Sequence, residues 1–189
     1  MATQFNIENI LVHGALNNEL EYERALVADR KLRLLSKDNS ELKSLRSKLR
    51  DIIQKYENEN WSTDSEISEA SIHKSDIAVL IAEKERQFLM VRKNLIKKRL
   101  KKFNLNQQEL GQILGHNSKS YMSELMNGLV PFTLKDLVVI NRLLKIDLVD
   151  LIPTTLSHEQ TESIKSALEK IGAPKKLQLA KDDFDLILT

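Results

Sequence analysis

The sequence predicts an all-α protein, and three observations lead to that fold class. The 189 residues include only five Gly and three Pro, and Leu, Ile, Lys and Glu are abundant. Apolar residues recur every three or four positions over most of the chain, which is the period of an amphipathic helix. Helix-capping residues such as Asn106, Ser118 and Thr133 stand just before several of these segments. With 41% hydrophobic and 30% charged residues, the chain can bury an ordinary globular core.

The N-terminal part predicts two helices that pack as an antiparallel hairpin. Residues 1–16 show only a short apolar patch, and a helix is expected from residue 17 to residue 35. Its apolar residues are Tyr22, Ala25, Leu26, Leu32 and Leu35. After a polar turn at 36–40, the clearest amphipathic helix of the chain carries Leu42, Leu45, Leu49, Ile52, Ile53 and Tyr56. A connection this short predicts that the two helices lie side by side.

A linker and a long basic helix are expected next. Residues 58–75 lack periodicity and are rich in Ser, Glu and Asn, which is typical of a linker, with Trp61 as a candidate point of order or partner contact. Ser75 is expected to cap a helix that runs to about Phe103. From Arg86 to Gln108 there are eight basic residues and no acidic one. A solvated face would explain such a run, but the missing acids favour a phosphate-facing role.

The stretch from 105 to 144 predicts two short helices joined by a tight turn, which is helix-turn-helix architecture. Asn106 and Glu109 form a capping box at the start of the first helix. Ser118 caps the second helix, and Gly128 ends it because Gly adopts the left-handed conformation favoured at a helix C-terminus. Any small helical bundle can contain such a turn, so this pattern alone leaves a purely structural role open.

Gly111 and the helix that follows also indicate a compact module. Gly inside a helix costs about 1 kcal/mol relative to Ala, and close approach of the second helix would explain Gly111. Thr133 and Asp136 then cap a further helix, whose apolar residues run nearly all round it. This pattern predicts a buried or dimer-forming helix, and Pro153 ends the module.

The first turn of the second motif helix offers hydroxyls and an ammonium group, which suit DNA better than a core. The residues expected to reach base edges are Lys119, Ser120, Ser123 and Glu124. Those expected to contact phosphates are Gln107, Ser118, Tyr121 and Asn127, with Asn117 in the turn as a further candidate. The lysines expected to help them are Lys97, Lys98, Lys101 and Lys102.

Charge is distributed unevenly along the chain. Residues 1–85 carry a formal charge of −4, residues 86–152 carry +7 and residues 153–189 carry −1. The positive charge therefore lies on the segment that contains the helix-turn-helix, as a polyanion-binding module requires. The predicted parts are an N-terminal partner-binding region and linker (1–75), a helix-turn-helix DNA-binding domain (76–152) and a C-terminal helix and tail (153–189).

The motif resembles the phage-repressor type of helix-turn-helix and, within it, the HigA-type antitoxins. The matching residues are Leu105, Glu109, Leu110, Ser118, Ser120, Met122, Ser123, Leu125, Gly128, Phe132, Thr133 and Leu134. The turn is one residue longer than usual, and Leu129 and Val130 stand where many relatives place basic residues. Weaker matches to the N-terminal part of that family are Asn18, Glu19, Tyr22, Ala25, Leu26, Tyr56 and Glu57.

The resemblance implies a five-helix repressor-like domain and an antitoxin that binds operator DNA as a cytoplasmic homodimer. It also implies that the protein neutralises a HigB-like ribonuclease toxin by direct binding. The partner-binding candidates are Tyr22, Leu26, Tyr56 and Trp61, although helix–helix packing explains most of them equally well. The alternative is a stand-alone transcription regulator whose N-terminal helices sense a ligand or dimerise.

Catalysis, cofactors and membrane insertion find little support in the sequence. The four His residues are scattered, Cys is absent, and no phosphate-binding loop, dinucleotide fingerprint or nucleophile elbow occurs. We therefore expect no enzyme activity, no cofactor and no metal site. No apolar run reaches the roughly 18 residues of a membrane span. In the tail, residues 158–172 predict a helix, 175–179 a short strand, and the apolar end a docking segment.

Overall fold

The computed structural model describes residues 5–37, 39–61, 69–153 and 158–172. Over these residues the protein contains helices and no strand, which confirms the predicted all-α class. In chain order the elements are α1 (Ile7–His13), α2 (Glu19–Leu35), α3 (Ser40–Asn60), α4 (Glu69–Lys102), α5 (Gln107–Leu114), α6 (Lys119–Asn127), α7 (Leu134–Leu144), a 3-10 turn (Leu148–Asp150) and α8 (His158–Lys170).

Helix α1 is an element that the sequence does not predict. The Asn6 side chain caps it by accepting a hydrogen bond from the Glu8 N–H at 2.9 Å, and Gly14 ends it. Both Ile7 and Ile10 are buried. Because an isolated seven-residue helix is unstable in water, α1 depends on the burial of these two side chains.

Helices α2 and α3 pack against each other along their length. At one end, the rings of Tyr22 and Tyr56 stack with their centroids 5.1 Å apart. Further along, Asp29 accepts a hydrogen bond from the Arg46 guanidinium at 2.8 Å. These contacts pair the start of α2 with the end of α3, so the two helices are antiparallel.

Helix α4 is longer than the sequence predicts. It begins at Glu69, so the prediction of a linker is wrong for residues 69–75, just as it is for 58–60, which end α3. Ser75 lies inside α4 rather than at its cap, and its hydroxyl donates to Glu19 Oε1 at 3.2 Å. The predicted linker residues 62–68 lie outside the described residues.

The described residues as far as Ile152 pack as one unit around α4. Helix α4 packs on α2 and also on α5, α6, α7 and the 3-10 turn. Arg92 of α4 is buried, donates to the Leu151 carbonyl at 3.2 Å and lies over the rings of Phe88 and Phe132. Burial lowers the pKa of Arg92 to about 10. The domain boundary predicted after residue 75 thus falls within a continuous helix.

Helix α8 belongs to a second unit and is described by itself. It covers residues 158–170 of the helix predicted for 158–172, and Gly172, two residues after its end, has a φ of +62°. That left-handed conformation explains why Gly stands there. The predicted strand at 175–179 and the apolar end of the chain lie outside the described residues.

Candidate nucleic-acid interface

The predicted helix-turn-helix consists of α5, a four-residue turn and α6, each helix with the cap that the sequence predicts. Asn106 Oδ1 accepts from the Glu109 N–H at 3.0 Å, and the Glu109 carboxylate accepts from the Asn106 N–H at 2.7 Å. Ser118 Oγ accepts from the Tyr121 N–H at 3.2 Å, which fixes the start of α6. The capping box and both N-caps are therefore confirmed.

Gly111 lies at the closest approach between α5, the turn and α6. A Cβ at this position would lie 2.8 Å from the His116 carbonyl oxygen and 3.4 Å from Met122 Cγ. The expected approach of α6 is confirmed, although the nearest atom belongs to the turn. The His116 N–H donates back to the Gly111 carbonyl at 2.7 Å, which closes the end of α5.

The side chain of His116 ties the turn to α7. Its Nε2 lies 3.2 Å from the carboxylate of Asp136, which is almost fully buried and also accepts from the Thr133 N–H at 3.0 Å. The imidazole packs edge-on against the ring of Tyr121, with the centroids 5.3 Å apart. These contacts connect the cap of α7 with the first turn of α6, so α6 is held in a defined orientation relative to α7.

Three predicted contact residues form an exposed N-terminal end of α6. Asn117, Ser118 and Lys119 all lie exposed at the end where the helix dipole is positive. Gln107 occupies the first position of α5 and is half-buried. Tyr121 is also half-buried, and burial, followed by the carboxylates of Glu8, Asp136 and Glu124, raises the pKa of its hydroxyl.

Two of the predicted base-reading residues on α6, Ser120 and Glu124, are half-buried and lie near the N-terminal region. Ser120 accepts a hydrogen bond from Asn39 Nδ2 at 2.8 Å, across 81 positions of sequence. Burial, followed by the nearby carboxylates of Glu8 and Glu41, raises the pKa of Glu124. Two of the four predicted base-reading residues are thus in contact with α1 and the start of α3, or close to them.

The predicted phosphate contact Asn127 is fully engaged within the protein. Its backbone carbonyl accepts from Lys31 Nζ at 2.9 Å, and its side-chain oxygen accepts from Lys93 Nζ at 2.6 Å. Its amide nitrogen donates to the carbonyl of Ser123, a predicted base-reading residue that is half-buried. Two ammonium groups therefore hold the C-terminal end of α6, where cations stabilise a helix dipole.

The predicted lysines continue outward from this end of α6 along α4. Lys97 and Lys101 are four and eight positions after Lys93, so the three share one face of the helix. Burial, and then the neighbouring charge of Lys97, lowers the pKa of Lys93. Lys98 and Lys102 lie on the adjacent face, and all four predicted lysines are exposed. The last two turns of α4 thus present a basic surface, which we call the lysine row (Lys97, Lys98, Lys101, Lys102).

Of the four predicted partner-binding residues, Trp61 has the largest exposed surface. Tyr22 and Tyr56 are buried, and their hydroxyls donate to Glu57 at 2.8 Å and Glu19 at 3.1 Å. Trp61 follows α3 with 53% of its surface exposed and packs edge-on against Tyr22. Leu26 is half-buried against the core. The tyrosines therefore support the α2–α3 packing, and Trp61 is available to a partner.

Sequence reasoning missed the residues that contact or approach α6 from elsewhere in the chain, namely Glu8, Lys31, Asn39, Glu41 and Lys93. The contact of Lys31 could have been predicted, because Lys31 lies among the apolar positions Ala28, Leu32 and Leu35 of α2, where a basic residue needs a partner. The contact of Asn39 could not have been predicted, because an Asn that caps a helix does not indicate a hydrogen bond to the hydroxyl of Ser120, 81 positions away.

No family model, curated protein or solved structure matches this chain. Within the described residues, no helix is long and apolar enough to cross a membrane. The same part of the chain contains no group of three or more His, Asp or Glu side chains arranged to hold a metal ion. The features of the described residues that bear on function are the helix-turn-helix, its exposed end and the lysine row.

Proposed function

We propose that the protein regulates transcription by binding operator DNA through the exposed N-terminal end of α6. The observation that carries this proposal is the exposure of Lys119 at the start of a short helix whose turn and caps are held by side-chain contacts. An ammonium group there can donate to O6 and N7 of guanine. Asn117 and Ser118 beside it can donate to phosphates that approach the positive end of the helix dipole.

The lysine row supports the same proposal through its charge. Four exposed ammonium groups at the end of α4 lie in the segment of the chain that has a formal charge of +7. Such a surface attracts the DNA backbone without reading its sequence. The row and Lys119 thus serve separate roles, the first giving affinity for any duplex and the second giving preference among sequences.

We further propose that the operator is bound by a homodimer in the cytoplasm. A single α6 reads only a few base pairs, and a two-fold dimer presents two such helices to half-sites about one helical turn apart. The resemblance to phage-repressor modules supports this arrangement. The mass of the protein–DNA complex in solution gives the number of protein chains bound to each duplex, and two chains are expected.

A finer proposal, which the resemblance to HigA-type antitoxins supports, is that the protein also neutralises a HigB-like ribonuclease toxin. The exposed ring of Trp61 at the end of α3 is the candidate contact, because Trp is enriched at the centres of protein interfaces. The formal charge of −4 on residues 1–85 would attract a basic ribonuclease. A stand-alone regulator remains the alternative, and a short, basic reading frame beside the gene distinguishes the two.

The test of DNA binding uses the full chain and a library of random duplexes. Repeated rounds of selection at about 150 mM salt should enrich one sequence, and the enriched duplex should bind at least about 1000-fold more tightly than a scrambled one. Recovery of no preferred sequence, with equal affinity for both duplexes, would contradict a regulator that recognises an operator.

A further inference from the structure

Helix α6 exposes little of its surface although it is the proposed reading element: three of its residues are buried and five are half-buried. Of its nine residues, all of which the structure describes, Lys119 alone is exposed. We propose that α1 and the start of α3 form a removable cover over the base-reading side of α6, so that the protein as described is in a DNA-excluding state. The cover consists of α1 (Ile7–His13) with Asn39 and Glu41. This inference rests on the proposed function, because it concerns the regulation of the same site.

Three kinds of contact hold the cover in place. The N–H of Ile7 donates to the Leu129 carbonyl at 2.9 Å, and the Ile7 side chain is fully buried. Ile10, one turn later, is also buried. At the other edge, Asn39 donates to the hydroxyl of Ser120. These contacts join α1 to the segment that follows α6 and join the start of α3 to its reading side.

The same arrangement brings three carboxylates near one another, and their repulsion weakens the covered state. Glu8 and Glu41 both lie close enough to Glu124 to raise the pKa of its carboxyl, in addition to the effect of burial. Like charges in a partly buried site disfavour the covered state. Glu8 also raises the pKa of the Tyr121 hydroxyl, so the carboxylate of α1 acts on two residues of α6.

The cover also opposes DNA by its charge. Both Glu8 and Glu41 are exposed on the side away from the core, and they lie beside the helix that would enter the groove. Phosphates approaching the covered α6 would therefore meet carboxylates before they met Ser120 or Glu124. Removal of the cover frees these two side chains and takes the acidic groups away, and both changes favour DNA.

The first test follows the cover during DNA binding by hydrogen exchange of the unmodified protein. Helix α1 has only seven residues and cannot persist once detached. We expect the amides of α1, including Ile7, to exchange at least tenfold faster in complex with the selected duplex than in the free protein. A scrambled duplex at the same concentration is the control, and amides near Leu49 in the core report unrelated changes. Equal or slower exchange of α1 in the complex would overturn the inference.

The second test compares two substitutions on α1. Ile7→Asp places a charge in a buried position beside Glu8 and should detach α1, the larger part of the cover, whereas Val12→Asp adds the same charge at a side chain that is 85% exposed. Apparent affinity is proportional to the fraction of molecules that are open, so a variant that opens more of them binds more tightly. We therefore expect Ile7→Asp to bind the selected duplex at least fivefold more tightly than Val12→Asp. A folded Ile7→Asp protein with unchanged affinity would contradict the proposal.

The outcomes separate this inference from the proposed function. If the selected duplex is bound while α1 remains protected, the cover is refuted and DNA binding stands. If neither the wild-type protein nor Ile7→Asp binds any duplex, DNA binding is refuted and the cover hypothesis falls with it. If circular dichroism shows that Ile7→Asp does not fold, the hydrogen-exchange measurement on the unmodified protein tests the cover by itself.

Discussion

At the scale of single residues, Gly111 shows most clearly how the absence of a side chain permits the helix-turn-helix geometry. A Cβ there would lie 2.8 Å from a backbone oxygen of His116, which cannot move without changing the turn. Gly111→Ala should therefore lower the free energy of unfolding by about 1–3 kcal/mol, even though Ala favours a helix by about 1 kcal/mol. Urea unfolding measures the change. Gln112→Ala, at an exposed position of the same helix, is the control, and a Gly111→Ala protein as stable as this control would contradict the geometry.

Lys31 gives the protein a specific dependence on pH. Burial, and then the charge of Lys93, lowers the pKa of Lys31 from 10.5 to about 8. Between these values the unfolded chain binds more protons than the folded one, so the free energy of unfolding should rise as the pH increases from about 8 to 9.5. Above that range the raised pKa values of Tyr22 and Tyr56 act in the opposite direction, because the folded state then retains more protons.

The variant Lys31→Met tests whether Lys31 causes this rise of the free energy of unfolding with pH. Its free energy of unfolding should change less between about pH 8 and 9.5 than that of the wild type, although Lys93, whose pKa is also lowered, leaves part of the rise. Lys48→Met, at an exposed position of α3, serves as the control and should keep the full rise. Identical pH dependence in all three proteins would show that Lys31 is not the group responsible.

At the scale of elements, the lysine row makes a prediction about salt. Replacing Lys97, Lys98, Lys101 and Lys102 with Ala should weaken binding to all duplexes alike, because phosphates carry no sequence information. The slope of log K against log salt should decrease in magnitude by about 0.9 for each phosphate that the protein no longer neutralises. A matched variant removes four exposed lysines of α3 and the turn before it, Lys37, Lys43, Lys48 and Lys55. If the slope of log K against log salt is equal in the two variants, the lysine row does not contact DNA.

The helix boundaries were predictable from the sequence where they depend on contacts between residues close together in the chain. The caps at Asn106, Ser118 and Thr133 involve residues three positions apart, so their side chains alone indicate the helix starts. Helix α1 was missed because seven residues give little periodicity, and α4 was predicted too short because its first turns are polar and exposed. The contact of Asn39 with Ser120 depends on how α3 packs, which no local pattern encodes.

At the scale of the whole molecule, α4 connects the two regions that the sequence separates. Helix α2 of the N-terminal region packs on α4, and the helices of the helix-turn-helix, α5 and α6, pack on α4 as well. Because Asn39, just before α3, bonds to Ser120 of α6, and Ile7 of α1 bonds to Leu129 just after it, a partner that binds the N-terminal region could act on α6 through these contacts. Partner binding and DNA binding are then expected to influence each other's affinity by the same factor.

Trp61 tests the partner role in the full chain. Trp61→Ala should reduce capture of the product of the neighbouring gene by at least about tenfold, since an exposed Trp at an interface centre contributes about 2 kcal/mol or more. Leu34→Ala, at an apolar side chain of α2 that is 66% exposed, is the control. If both variants capture the neighbouring gene product equally well, the surface that binds the partner does not include Trp61.

The central claim, that the N-terminal end of α6 reads DNA, is tested most directly by Lys119→Ala in the full-length protein. With the selected duplex, the variant should lose about 1–3 kcal/mol of binding free energy and discriminate less at the base pair that Lys119 reads. Its affinity for a scrambled duplex should change little, and Lys48→Ala, at an exposed site on α3, should behave as the wild type does. Equal affinity of Lys119→Ala and the wild type for the selected duplex would contradict the claim.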